Sequence, residues 1–257
     1  MSGFLAYTRT HHALLSELLD GYSRARIARL CDLKGKRVLE VGSGGGHFAL
    51  SVAEAVGADG QVVAVDTEHH ITGTHPRLTV LTADMVTDEL PAEQDVIHTR
   101  LTLCHEPRRV RVLRRLVGLL AVGGVLIVED WWSVNMDMVM NARTDADREL
   151  FDRFSATVGR LVERAGTDRD WARRGHGAML DHGLRDVRTE VFAEAWSSGG
   201  PGCTMMANTL DARRDRFVAE GLRHDELATV HRLLTDGDPG FVLAGHPLYS
   251  TVGRRLA

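Results

Sequence analysis

Apolar residues first recur at helical spacing close to the start of the chain. Leu14, Leu15, Leu18 and Leu19 fall on one stripe, and the pattern continues to Cys31, which predicts one or two helices over residues 10–31. Short apolar runs then alternate with helical segments and predict strands at 37–41, 61–66, 78–81, 95–99 and 125–128. Such alternation indicates a parallel sheet that is covered by helices on both faces.

Proline and glycine mark several boundaries of these elements. Pro107 suits the first turn of the helix after the fourth strand, and Gly123-Gly124 are expected to stop that helix. In the second half, residues 142–182 are amphipathic and predict helices. Residues 195–237 turn helical after a break at Gly199-Gly200-Pro201-Gly202. Strands are expected over 187–192 and 241–252, where Pro247 suggests a bulge or an edge position.

These patterns predict a single domain that spans residues 1–257. Its parts, in chain order, are N-terminal helices (1–34), a core (35–132), a first helical insertion (133–184), a strand (185–194), a second helical insertion (195–239) and the last strands (240–254).

Composition narrows the class of protein only slightly. With 44% apolar residues and a formal net charge of -4, the chain resembles an ordinary globular protein and not a nucleic-acid-binding one. The three cysteines are too far apart in sequence for a paired motif, which favours a reduced, cytoplasmic protein. Residues 1–7 lack the basic start of a signal peptide, and no apolar run is long enough to cross a bilayer.

The most informative segment is a glycine-rich run between the first strand and the next helix. Residues 38–48 read VLEVGSGGGHF, and glycine lets a ligand approach backbone N–H groups at a helix N-terminus. Asp66 ends the second strand 20 residues after Gly46, a place that suits hydrogen bonds to ribose hydroxyls. A dinucleotide-binding pattern needs glycine where His47 stands, which argues against an NAD-dependent oxidoreductase.

With Glu40 ahead of its three alternate glycines, this run resembles the first motif of class I S-adenosylmethionine-dependent methyltransferases. The resemblance covers residues 35–131 and is greatest to bacterial small-molecule enzymes of quinone-pathway and secondary-metabolite type. It implies a Rossmann-like α/β fold with a seven-stranded, mostly parallel sheet, an antiparallel last strand, and helical insertions that form a lid. It also implies methyl transfer from S-adenosylmethionine to oxygen, nitrogen or carbon of a small molecule, with S-adenosylhomocysteine as product.

The resemblance assigns cofactor contacts along the first three strands. The glycine loop would hold the methionine part, Asp66 the ribose, and Asp84, after the third strand, would lie near the adenine amino group. His69 and His70 are expected to border the adenosine. The full expected set is Glu40, Gly42, Ser43, Gly44, Gly46, Asp66, Thr67, Asp84, Met85 and Arg100.

The methyl acceptor is expected beyond the carboxyl ends of the fourth and fifth strands, where open parallel sheets bind ligands. His105 is the candidate general base, since histidine titrates near neutrality; alternatively, it only orders the next helix. Trp131 and Trp132 are candidate walls for an aromatic acceptor, or they pack in the interior. His176 is a further candidate for substrate binding.

Two other interpretations of the same fold stay open. One is an enzyme that uses S-adenosylmethionine without methylating, such as a cyclase, and the other is a non-catalytic protein that binds it. No acid ends the fourth strand at residues 99–102, where metal-dependent catechol methyltransferases present one, so no catalytic metal is expected. The sequence predicts neither the acceptor's identity nor the oligomeric state.

Overall fold

The computed structural model describes residues 8–68 and 70–256. His69 and the first seven residues, on which the expected absence of a signal peptide rests, lie outside the described residues. The chain divides into two compact units, which are described separately. The sheet unit comprises Leu19–Trp132, Asp170–Phe192 and the chain from Leu248 onward. The second unit comprises the chain up to Leu18, Ser133–Arg169 and Ala193–Pro247.

The secondary structure of the described residues consists of helices, strands and one short 3-10 turn at Leu103–His105. The helices are α1 (Arg9–Leu30), α2 (His47–Ala55), α3 (Arg109–Leu119), α4 (Asp145–Arg164), α5 (Trp171–Asp181), α6 (Pro201–Ala212), α7 (Arg214–Ala219) and α8 (His224–Thr235). The strands are β1 (Arg37–Val41), β2 (Gln61–Asp66), β3 (Leu78–Thr82), β4 (Gln94–Arg100), β5 (Leu120–Trp131), β6 (Val139–Asn141), β7 (Arg185–Phe192), β8 (Ala195–Ser197), β9 (Val242–Ala244) and β10 (Leu248–Arg254).

Seven strands within the described part of the chain form one sheet in the order β3-β2-β1-β4-β5-β10-β7. The first five strands of this order pair in parallel, and β10 is antiparallel to both β5 and β7. The expected Rossmann-like sheet with an antiparallel last strand is therefore confirmed. The chain leaves β1 toward one edge of the sheet and returns to β4 on its other side, so a crevice opens at the carboxyl end of β1.

The sheet buries an apolar layer on each face. One layer contains Leu39, Ile97 and Leu126 of the strands together with residues of α3 and α5. The other contains Val38, Val96 and Ile127 together with residues of α2 and α1. Because these strands are buried on both faces, each appears in the sequence as a nearly continuous apolar run.

Two boundary predictions were wrong. The helix after Pro107 ends at Leu119, and Gly123-Gly124 lie within β5 instead of stopping the helix. Gly123 has a φ of 81°, so it bends the start of the strand and shifts its pairing with β4. The single strand expected over 241–252 is two strands in different sheets, β9 and β10. Pro247 separates them, since it has no N–H with which to continue a ladder.

The second unit has a small sheet and several helices around an aromatic core. β9 pairs antiparallel with β6 and β8, and the ring centroids of neighbouring buried phenylalanines are 5.0–5.8 Å apart. These rings belong to Phe151, Phe154, Phe217 and Phe241. The role of these helical segments as a lid stays a prediction. None of the helices described above has both the length and the apolar character needed to cross a membrane.

Candidate active site

The glycine loop lies at the carboxyl end of β1, where the crevice opens. Gly42, Gly44 and Gly46 have φ values of 76°, 52° and 74°, which side chains with a Cβ rarely adopt. Gly46 precedes α2 and has no side chain to cap it, so the first N–H groups of α2 suit an anionic ligand group. The Ser43 hydroxyl is buried and has no hydrogen-bond partner among the described residues. An unsatisfied buried hydroxyl in such a loop fits a ligand-binding role.

Neighbouring strands hold this loop in place. The N–H groups of Gly42 and Ser43 donate to the carbonyl of Val65, at 2.8 and 3.1 Å. A Cβ on Gly42 would clash with the side chain of Thr102, so Thr102 packs directly against the loop. The expected glycines are thus required by backbone conformation at each position, and by close packing as well at Gly42 and Gly46.

Asp66 ends β2 beside the loop and is partly exposed. Its Oδ2 accepts a hydrogen bond from the Gly44 N–H at 2.8 Å, and its Oδ1 accepts one from the Thr67 N–H at 2.7 Å. Each carboxylate oxygen has a further lone pair, so the side chain retains capacity for ribose hydroxyls. The bond to Gly44 was not predicted, and it means that Asp66 also shapes the loop.

Asp84 and Met85 follow β3 and have different environments. Oδ1 of Asp84 accepts a hydrogen bond from the Val86 N–H at 2.7 Å, and the carboxylate is partly exposed at the carboxyl edge of the sheet. Met85 is buried in the apolar layer that includes α3. Asp84 therefore remains accessible to a ligand, whereas the side chain of Met85 contributes to core packing.

Three buried charged side chains lie side by side on neighbouring strands of the sheet. Glu40, His98 and Glu129 come from the adjacent strands β1, β4 and β5, and each is at most 4% exposed. Nδ1 of His98 lies 3.0 Å from Oε2 of Glu40, and its Nε2 lies 3.2 Å from Oε2 of Glu129. Ser23 of α1 donates to Oε2 of Glu129, and Ser250 of β10 donates to Oε1 at 2.8 Å. We call these three charged residues the buried triad.

The triad carries a cation between two anions. Burial alone would lower the pKa of His98, but the Glu40 and Glu129 carboxylates raise it to about 9. Burial alone would raise the pKa of Glu129, but His98, with Arg100 and Ser23, lowers it to about 2. His98 is therefore an imidazolium at neutral pH and donates to both carboxylates. The signal in the sequence was a polar residue inside each of three apolar strands, but it did not reveal that they meet.

Arg100, an expected cofactor residue, ends β4 and contacts α1 and α2. Its guanidinium donates to Oδ1 of Asp20 at 2.6 Å and to Oγ of Ser23 at 2.9 Å. It also lies 5.2 Å from the centroid of the Phe48 ring. These contacts fix part of α1 against the sheet; a contact between Arg100 and a cofactor stays a prediction.

The segment after β4 carries the candidate base His105. Leu101 has a φ of 51° and donates its N–H to the carbonyl of Glu129 at 2.8 Å. His105 is the last residue of the 3-10 turn that follows. Its N–H donates to the carbonyl of Thr102, and its side chain is partly exposed. Oε1 of Glu106 accepts the N–H of Arg108 at 2.7 Å, so Glu106 helps to begin α3.

The two candidate tryptophans lie at the carboxyl end of β5 and are both partly exposed. Trp131 is the last residue of the strand. Nε1 of Trp132 donates to Oδ1 of Asp170 at 3.0 Å, and its ring lies 5.4 Å from the Arg173 guanidinium. Their position at this edge agrees with the expected acceptor side, but their contact with an acceptor stays a prediction.

His176 lies on α5, away from this edge. Its Nδ1 is 2.9 Å from Oγ1 of Thr189, which is 3.0 Å from Oγ1 of Thr251. Thr251 pairs with Val128, which lies three residues before the end of β5. The contact of His176 with Thr189 therefore lies roughly 10 Å from the carboxyl edge of the sheet. The structure thus does not bring His176 together with the glycine loop.

Asp130, which the sequence did not single out, lies at the same end of β5. It is 1% exposed, and neither carboxylate oxygen has a hydrogen-bond partner of normal geometry among the described residues. Burial raises the pKa of Asp130 to about 7, and the nearby Cys104 thiol, the N–H groups of Cys104 and Thr102, and the Arg109 charge offset only part of the rise. In the sequence, Asp130 is indistinguishable from its neighbour Glu129.

Comparison with known proteins agrees with this architecture. The methyltransferase str2 of Strobilurus tenacellus is 36% identical over 98 residues, which are 37% of this chain and 35% of that protein. Haemonchus contortus phosphoethanolamine N-methyltransferase 2, solved with phosphomonomethylethanolamine and S-adenosylhomocysteine, has a TM-score of 0.57 and 13% identity over 92% of this chain and 53% of that one. The [4+2]-cyclase SpnF has a TM-score of 0.54 and 18% identity over 93% of this chain and 82% of that one.

The two solved structures show the shared fold alone, and the chain spans about a third of the length of the curated relatives that it matches. The family assignment rests on a model described as a methyltransferase domain, which matches residues 11–168. That match extends from α1 through the glycine loop and the whole parallel core to just beyond the end of α4, and it covers more than half of the chain. The family expected from the glycine motif is thereby confirmed: this chain belongs to the methyltransferase domain family.

Proposed function

We propose that this chain transfers the methyl group of S-adenosylmethionine to a small molecule. The observation that carries the proposal is the ligand-ready geometry at the carboxyl end of β1. Three alternate glycines with positive φ, the unsatisfied Ser43 hydroxyl and the Asp66 carboxylate all meet there. A nucleotide-like ligand with an amino-acid end satisfies each of these groups.

The residues of this crevice fit S-adenosylmethionine part by part. The N-terminus of α2 and the Ser43 hydroxyl suit its carboxylate, Asp66 suits the ribose hydroxyls, and Asp84 suits the adenine amino group. The bound cofactor supplies a methyl group that its sulfonium already activates. The protein then has to align the acceptor and exclude competing nucleophiles, and alignment alone accounts for a large share of such a rate.

A small-molecule acceptor agrees with the charge of the chain and with its relatives. A net charge of -4 opposes binding to nucleic acid, and the Haemonchus contortus neighbour was solved with a small phosphorylated amine. All three cysteines are free thiols, which favours a reducing compartment such as the cytoplasm. His105 is the candidate base from the sequence, and Trp131 and Trp132 are candidate walls of the acceptor site.

Isothermal titration calorimetry with S-adenosylmethionine tests the cofactor assignment. Asp66→Asn is expected to weaken binding by roughly 10- to 100-fold, because a charge-assisted hydrogen bond contributes about 1.5–3 kcal/mol. Asp95→Asn is the matched control: Asp95 also accepts a backbone N–H, from Arg37 at 2.8 Å, but at the amino end of the sheet. Equal affinities of the two variants would contradict the assignment.

Turnover separates methylation from other uses of the same fold. Wild-type protein with S-adenosylmethionine and a panel of small phenols, alcohols and amines is expected to release S-adenosylhomocysteine and methylated product. Binding of the cofactor without its consumption would support the cyclase-like or non-catalytic alternatives. SpnF illustrates that this fold also belongs to a cyclase.

A further inference from the structure

We propose that Asp130 binds the methyl acceptor, accepting a hydrogen bond from its O–H or N–H group and taking up that proton during transfer. The inference rests on the proposed function and deepens it, since it restricts the acceptor to molecules with a hydroxyl or an N–H amine. It concerns a residue at the end of β5, outside the glycine-rich run of residues 38–48.

The first argument is the contrast between two adjacent carboxylates. Glu129 and Asp130 point to opposite faces of the sheet, and both are almost fully buried. Glu129 has partners on both oxygens, from His98, Ser23 and Ser250. Asp130 has none of normal geometry among the residues that the structure describes. Buried carboxylates are nearly always satisfied, so an unsatisfied one beside a ligand crevice indicates a missing ligand group.

The second argument is the position of Asp130 relative to the glycine loop. The side chain of Thr102 packs on Gly42, and the backbone N–H of Thr102 is one of the dipoles that act on Asp130. A single residue therefore separates the Asp130 carboxylate from the loop that we propose holds the methionine end of the cofactor. Leu101, next to Thr102, has a left-handed backbone, and such strain in non-glycine residues concentrates at functional sites.

The third argument is the charge that faces Asp130. Cys104 presents a thiol whose pKa burial and Asp130 itself raise well above the ordinary value, so it is neutral. Arg109 acts from α3, but its guanidinium donates to the carbonyls of Leu103 and Cys104. Tyr249 is the residue paired with Asp130 on β10. The thiol and the Arg109 charge offset only part of the rise that burial produces in the pKa of Asp130, so the carboxylate takes up a proton near neutral pH.

The proton balance of the step is simple. The lone pair of the acceptor oxygen or nitrogen forms a bond to the methyl carbon while the carbon–sulfur bond breaks and its electron pair stays on sulfur. The proton of the acceptor passes to the Asp130 carboxylate, which becomes a neutral acid and later returns the proton to water. The buried site favours this outcome, because it favours the uncharged form of Asp130.

The test compares Asp130→Asn with wild type on the panel of phenols, alcohols and amines. We expect the kcat of Asp130→Asn to fall by about 10²–10⁴-fold while its cofactor affinity stays unchanged. The wild-type rate should decline below about pH 7 as Asp130 becomes protonated, and the variant should not show this decline. Asp130→Ala should recover part of its rate when formate is added, which a merely structural residue would not show. His105→Ala should lose less activity than Asp130→Asn, and Asp95→Asn should match wild type. Thermal melting confirms that each variant is folded.

Three results would overturn the inference. An Asp130→Asn enzyme with near-normal kcat and pH profile removes Asp130 from the reaction. A larger loss in His105→Ala assigns the proton to His105 instead. If the wild-type enzyme binds S-adenosylmethionine but methylates only substrates without O–H or N–H groups, the proposed class of acceptors is wrong. In each case the methylation that the wild-type enzyme still performs shows that the proposed function itself has not failed.

Discussion

Replacing His98 by glutamine removes the cation of the buried triad while nearly keeping the size of the side chain. Glu40 and Glu129 then face a neutral amide in an interior from which water is excluded. The pKa of His98 is 6.5 in a model peptide and about 9 in the fold, and such a rise corresponds to about 3 kcal/mol of stability. The side chain is fully buried, so solvent does not screen this interaction. Mutations that break buried ion pairs cost about 3–5 kcal/mol, which agrees in size.

The pH dependence gives the prediction a second, independent signature. The raised pKa of His98 means that its contribution is complete below pH 6.5 and is lost as the pH rises through about 9. The lowered pKa of Glu129 means that its contribution is complete above pH 4.5 and is lost as the pH falls through about 2. These two shifts describe one interaction, so they are not added. The difference between wild type and His98→Gln should be largest between pH 4.5 and 6.5 and should shrink toward pH 10.

Urea denaturation at several pH values, followed by far-ultraviolet circular dichroism, measures this difference. His176→Gln is the matched control, since His176 is a partly exposed histidine on the same unit, and its effect should stay within about 0.5 kcal/mol at every pH. A His98→Gln protein within 1 kcal/mol of wild type near pH 6 would refute the reasoning. So would a difference that is the same at pH 6 and pH 10, since it would mean that His98 is neutral.

Three further predictions address the loop, metal dependence and the edge of β5. Gly46→Ala should destabilise the fold more than Gly57→Ala. Both positions have a positive φ, which costs a residue with a Cβ about 1–3 kcal/mol, but of the two only a Cβ at Gly46 would clash with a side chain, that of Ile71. Thermal melting compares the two. EDTA should leave turnover unchanged, since no acid ends β4; loss of activity that magnesium restores would contradict this. Trp132→Phe should cost about 1 kcal/mol in urea denaturation through the lost bond to Asp170, and no loss would show that this bond is unimportant.

Most of the sheet could be predicted from the sequence because its strands are buried on both faces. The nearly continuous apolar runs at β1, β2, β4 and β5 identify these segments as strands. β6 and β8 have three residues each, too few to establish a period, and they exist only because β9 lies between them. Local pattern likewise gave no sign that the chain changes sheets at Pro247.

The candidate site divides in the same way into local and non-local features. The glycine loop was recognisable because positive φ demands glycine at fixed positions of a short segment. The buried triad joins β1, β4 and β5, and β1 lies beside β4 only after two other strands have been added on its far side. The different roles of Glu129 and Asp130 depend on which face of the sheet each side chain occupies and on what covers it. Such information is present only in the assembled fold.

The triad also has a consequence for the proton stoichiometry of folding. At pH 8 an unfolded histidine is neutral, whereas His98 in the fold keeps its proton, since its pKa is about 9. Folding at that pH should therefore draw about one proton from solution. Calorimetric unfolding enthalpies measured in phosphate and in Tris should then differ by about the difference between the ionisation enthalpies of the two buffers. The formal charge of -4 counts every histidine as neutral, so at this pH His98 makes the folded protein about one charge less negative than that count.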